Sequence, residues 1–134
     1  MQIELWQVHA GTMTTAIILF VLAVVIARFM RQRRWWLRIH RAISTLGAAV
    51  GLGGFAVAFY MVSLGGGVHF FYPHTWVGAI SLVLAVITAI TGYGRSHLGL
   101  TRERYLLVHR LLALLTIVMM AIAITLGLGL VYGF

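Results

Sequence analysis

Histidine is the residue type that stands out for chemistry in this 134-residue chain: there are six, against two acidic side chains and no cysteine. Four of them, His9, His40, His74 and His109, follow one another at intervals of 31, 34 and 35 residues. Neutral imidazole ligates iron, copper and zinc, and the ring also exchanges protons near physiological pH. Other chemistry lacks its parts. With no aspartate, and only Glu4 and Glu103, no serine–histidine–acid set for hydrolysis can be assembled. The absence of cysteine excludes disulfides, iron–sulfur clusters and thiolate ligation of a metal.

The elements that must place these histidines are membrane spans. Hydrophobic residues make up 62% of the chain and charged residues 9%, whereas soluble domains run near a quarter charged, so lipid is the expected solvent. Four apolar stretches, Ile3–Phe29, Trp35–Leu64, Tyr72–Tyr93 and Leu106–Tyr132, are each long enough at about 1.5 Å per residue to cross about 30 Å of hydrocarbon. Backbone groups in lipid must be satisfied within their own segment, and the short alternating segments of a barrel are absent. Helices are therefore predicted over about 3–29, 35–64, 72–93 and 104–132. The runs RQRRWWLR, GGGVHFFYP and GRSHLGLTRER separate them. Connections this short predict an all-α membrane protein, an up-and-down four-helix transmembrane bundle filling residues 1–134 as one domain.

The net charge of +8 does not point to nucleic acid, because all ten basic residues are arginines in or beside two connections. Arg28, Arg31, Arg33, Arg34, Arg38 and Arg41 surround the first, and Arg95, Arg102, Arg104 and Arg110 the third. Those connections share one face, which the positive-inside rule makes cytoplasmic, placing both termini and the Gly65–Pro73 loop outside a plasma (inner) membrane. Contact with anionic lipid heads accounts for most of these arginines. The first stretch carries its positive charges after the apolar run, so it reads as a retained helix and not as a cleaved signal.

Each of the four spaced histidines lies near the N-terminal end of its own helix, so antiparallel helices alternate their levels. His9 and His74 fall near the outer face, His40 and His109 near the cytoplasmic one. In a cyclic bundle helices one and three are diagonal, as are two and four, so each pair faces across the centre. Two imidazoles on opposite sides of a haem make a six-coordinate electron-transfer site. Small residues line the same faces. Helix two reads His40, Ser44, Gly47, Gly51, Gly54, Ala58, and helix three His74, Gly78, Ser81, Ala85, Thr88, Gly92. Helix four reads His109, Ala113, Thr116, Met120, Ala123, Gly127, and helix one His9, Met13, Ala16, Phe20, Ala23, Ala27. One such stripe is ordinary close packing, and one intramembrane histidine is ordinary hydrogen-bonded packing; four stripes each headed by histidine favour ligation. A bare zinc or copper site is the poorer alternative, since ligands divided between two faces cannot close one tetrahedron.

The remaining signals have plainer readings. His69 and His97 sit in connections and read as solvated loop residues, with substrate binding or proton transfer as the alternative. Trp35, Trp36, Phe70, Phe71 and Tyr72 mark membrane interfaces. Gly65, Gly66 and Gly67 form a turn without the strand–loop–helix context of a phosphate cradle.

Three segments carry a resemblance to a known family: RIHRAIS around His40, PHTWVG at His74, and the basic-x-basic-Tyr run TRERYLLVH ending at His109. With the 34-residue step from His40 to His74, they resemble the central four helices of the cytochrome b561 family, transmembrane electron carriers of the ascorbate and ferric-reductase type. The resemblance covers most of the chain. It lacks the two flanking helices usual in that family, which implies a minimal, prokaryotic relative. It further implies two haem b groups, one held by His9 and His74 and one by His40 and His109, carrying electrons from a cytoplasmic donor to an outer acceptor. By position in the family's pattern, Arg31, Arg33, Arg34, Arg102 and Arg104 are candidates to contact an anionic reductant.

The function expected is thus a di-haem transmembrane oxidoreductase or electron carrier. Its partners are membrane lipid and a small-molecule reductant, quinol or a partner redox protein, with a homodimer or larger complex as possible assemblies. The rival readings are a quinone-linked haem b anchor subunit of a redox complex, and a haem-free structural subunit.

Overall fold

All four apolar stretches are helical in the computed structural model, which describes residues 4–94 and 99–133. Helix α1 spans Leu5–Phe29, α2 Trp36–Leu64, α3 Pro73–Tyr93 and α4 Arg102–Tyr132. Each is long and apolar enough to cross a membrane, and no strand occurs among the described residues. The chain is a multi-pass, all-α membrane protein. Ile3, Arg95 and His97 lie outside the described residues.

The helix starts differ slightly from expectation, for local reasons. Trp35 and Tyr72 are N-caps of α2 and α3, not their first helical residues. Pro73, whose fixed φ and missing N–H suit the first helical position, leaves Tyr72 extended at φ −97° and ψ 149°. Helix α4 begins at Arg102, two residues earlier than predicted, because the Thr101 side chain caps it by accepting from the Arg104 backbone N–H at 3.4 Å. At its far end Gly133 takes the left-handed conformation, φ 74°, that closes a helix.

The helices form two hairpins. Helix α1 packs chiefly against α2, and α3 against α4, while the hairpins meet more sparsely along α2–α3 and α1–α4. That leaves α1 diagonal to α3 and α2 diagonal to α4. Glycines bring the first hairpin's backbones together: a Cβ on Gly54 would lie 2.5 Å from the Thr12 hydroxyl, and one on Gly47 3.2 Å from the Leu19 Cβ. Dispersion between closely approaching backbones replaces the hydrophobic drive that lipid cannot supply.

Apart from Ile26 and Tyr105, every buried residue among those described lies on a small-residue stripe headed by a histidine. Met13, Ala16 and Met120 make the central cluster, with Ile17, Phe20 and Val50 against it. Large apolar side chains such as Ile18, Leu111, Leu114 and Ile90 are exposed outward, as lipid-facing residues must be. The α1–α2 connection, the ends of α1 and α2 beside it and the first turns of α4 carry the described arginines, so one end of the bundle is strongly basic.

Candidate functional site

The four helix-borne histidines meet as two pairs, and each pair joins the two hairpins. At the arginine-poor end His9 of α1 and His74 of α3 have ring centroids 6.0 Å apart, with ring planes at 81°. At the arginine-rich end His40 of α2 and His109 of α4 are 6.3 Å apart, at 79°. All four rings are partly buried.

Each ring is held from its own hairpin. His9 Nδ1 bonds the Gly54 carbonyl at 2.9 Å, and His40 Nδ1 bonds the Ala23 carbonyl at 2.9 Å, so α1 and α2 clasp reciprocally. His74 Nδ1 bonds the Ala123 carbonyl at 2.7 Å. A carbonyl only accepts, so in these three rings Nδ1 carries the proton and Nε2 keeps its lone pair. His109 differs: its Nδ1 lies 3.3 Å from the Thr91 hydroxyl, which itself donates to the Thr88 carbonyl at 2.9 Å. With that hydroxyl proton committed, Nδ1–H of His109 is the donor and its Nε2 is likewise the free nitrogen. An imidazole anchored through one nitrogen and bare at the other is the usual arrangement of a metal-binding histidine.

The separations fit one metal between each pair. Two imidazoles on opposite sides of a single ion, each with a metal–nitrogen bond of about 2 Å, have centroids about 6 Å apart. No group of three or more histidine, cysteine or acidic side chains gathers among the described residues, so a closed protein-only tetrahedron is not offered. Each pair offers two imidazole donors and would leave the remaining positions of a metal to a bound group.

Glycines shape the space beside the rings. A Cβ on Gly127 would stand 2.8 Å from His74 Cε1, and one on Gly92 3.2 Å from His109 Cε1. The arginine-rich pair also has aromatic walls. Tyr105 lies parallel to His109, 7° between planes at 6.2 Å, and Trp36 is tilted 43° to His40 at 6.2 Å. The buried Tyr105 hydroxyl donates to the Thr91 and Gly92 carbonyls at 2.8 and 3.2 Å, fixing the turn of α3 that supports His109.

A 14-residue step recurs in this scheme. It separates His9 from Ala23, His40 from Gly54, and His109 from Ala123, where each second residue supports a histidine at the other level. Fourteen residues are almost four turns and return to the same face, putting the two levels about 21 Å apart at 1.5 Å per residue.

The other sequence candidates sit apart from the pairs. His69 stacks on Phe59 with centroids 3.9 Å apart, and its Nε2 lies 3.2 Å from the Ser63 hydroxyl. Phe70 next to it has φ +61°, and its carbonyl accepts from the Trp76 indole at 2.8 Å. Arg31, Arg33, Arg34, Arg102 and Arg104 are all exposed at the basic end. Arg31 is partly committed, donating from Nε to the Ala27 carbonyl at 2.7 Å and covering the Trp36 ring. Spacing did not single out Thr91, and it marked the carbonyl acceptors Ala23, Gly54 and Ala123 only as stripe residues. Tyr105 entered only through the basic-x-basic-Tyr run, and Gly92 and Gly127 only as packing residues.

A family model described as eukaryotic cytochrome b561 matches residues 7–132. No curated protein and no solved structure matches the chain.

Proposed function

Because this chain belongs to the cytochrome b561 family, and so shares a general electron-carrier role, we propose that it is a di-haem b protein for transmembrane electron transfer. His9 and His74 would hold one haem, and His40 and His109 the other. The single observation that carries this reading is the meeting of four histidines as two pairs, at 6.0 and 6.3 Å, across the sparse interface between hairpins. When bound, haem iron supplies one-electron chemistry at each level.

The chain's own residues do the rest. Carbonyls of Gly54, Ala23 and Ala123 and the Thr91 hydroxyl hold the imidazoles in the tautomer that leaves Nε2 unprotonated. The apolar cluster of Met13, Ala16 and Met120 excludes water from the space between the levels. Positive-inside topology makes the arginine end cytoplasmic. There the exposed Arg33, Arg34, Arg102 and Arg104, with Arg31, would attract an anionic donor and favour the reduced state of the nearer haem. The acceptor then lies on the opposite, outer side.

The test is a reduced-minus-oxidised spectrum of the purified protein with its haem-to-protein ratio. A ratio near two with six-coordinate low-spin bands is expected. A colourless but stably folded protein would overturn the reading.

A further inference from the structure

Arg41 follows His40 directly on α2 and is the one half-buried arginine among those described at the basic end. Its guanidinium carbon lies 5.1 Å over the ring of Tyr93, the last residue of α3, whose hydroxyl is 2.9 Å from that of Thr45. Arg41 and Tyr93 therefore bridge the gap between hairpins along α2–α3. On α2 this bridge is one residue from His40, and on α3 it is one residue from Gly92, the glycine that abuts His109.

The Nε–H of Arg41 is shut off from solvent and has no hydrogen-bond partner among the described residues. A buried donor on a charged group is costly to leave unmade. The chain offers no acid to satisfy it: Glu4 caps α1 at the opposite end, and Glu103, in the first turn of α4, does not bond it. No acceptor for it stands among the described residues, so an anionic acceptor on a bound group that reaches the edge of the His40–His109 pair would satisfy it.

We infer that Arg41 binds a carboxylate on the edge of the group held by His40 and His109, namely a haem propionate. This rests on the two-haem reading above. The guanidinium fork matches a carboxylate, and Tyr93 holds the fork flat by cation–π contact. Among the described residues no arginine lies at the end that holds the His9–His74 pair, so of these only the His40–His109 group gains this counter-charge. A phospholipid phosphate has the same chemistry and is the rival source.

The experiment compares wild type, Arg41→Gln and Arg41→Lys by redox titration and haem content, in lipid-free detergent and in nanodiscs containing anionic phospholipid. The haem assigned to this site is the one lost in His40→Ala. In Arg41→Gln its midpoint potential should fall and its affinity weaken about tenfold, while the other haem keeps its potential. Arg41→Lys should keep most of the potential, because the charge remains. The shifts should be equal in detergent and in nanodiscs. Unmoved potentials with two haems bound, equal shifts at both haems, or a shift seen only with anionic lipid would each overturn the assignment to Arg41. A wild type without two haems would instead overturn the reading on which it rests.

Discussion

The two histidine pairs share a centroid distance and a ring angle but are supported by different means. At the far end, both rings are tied to backbone carbonyls, at 2.9 and 2.7 Å. At the arginine end, one ring is tied to a carbonyl and the other to a hydroxyl at 3.3 Å, beside Trp36, Tyr105 and a cluster of cations. Backbone support is indifferent to substitution at the supporting residue, provided the helices keep their approach. Side-chain support can be tuned by a single change. One pair is thus rigid by construction, and the other is adjustable in both hydrogen bonding and charge.

The largest effect should come from breaking either pair. His40→Ala or His109→Ala should remove one haem and leave the other, lowering the haem-to-protein ratio from about two to about one, with His9→Ala and His74→Ala giving the complementary spectrum. Loss of both haems in every single variant would show that the pairs are not independent. A smaller effect separates the glycines. Gly127→Ala forces a methyl to 2.8 Å from a ring already held by Ala123, a clash of about 1–3 kcal/mol, and should deplete the far-end haem. Gly92→Ala, at 3.2 Å, should deplete the arginine-end haem less, which haem quantification of the two variants would decide.

The smallest expected effect tests the adjustable support itself. Thr91→Val removes the hydroxyl but keeps the shape, and should weaken the arginine-end haem about tenfold while Thr91→Ser retains it. Haem titration into the two variants reads this directly. Equal affinities would remove Thr91 from the site.

Much of the fold was legible because membrane solvation leaves few choices. Uninterrupted apolar length predicted each span, and a step of four and three from each histidine marked nearly all the buried residues. Ile26 and Tyr105 escaped it, the first one residue before the stripe's Ala27 and the second placed before His109 in the opening of α4. The pairing of histidines followed from helix order and alternating direction. Their hydrogen-bond acceptors did not, because a backbone carbonyl has no residue type to read. The 14-residue step was written in the sequence all along, but it gains meaning only when the depth of each hairpin is known.

The division of labour among contacts has a consequence for assembly. Support for each ring is drawn from within a hairpin, whereas the rings themselves face across hairpins. If each pair holds a haem as proposed, cofactor capture would be the step that rivets the two hairpins together. A protein nicked within the Gly65–Pro73 turn should then migrate as one particle while loaded, and as two fragments once its cofactors are stripped.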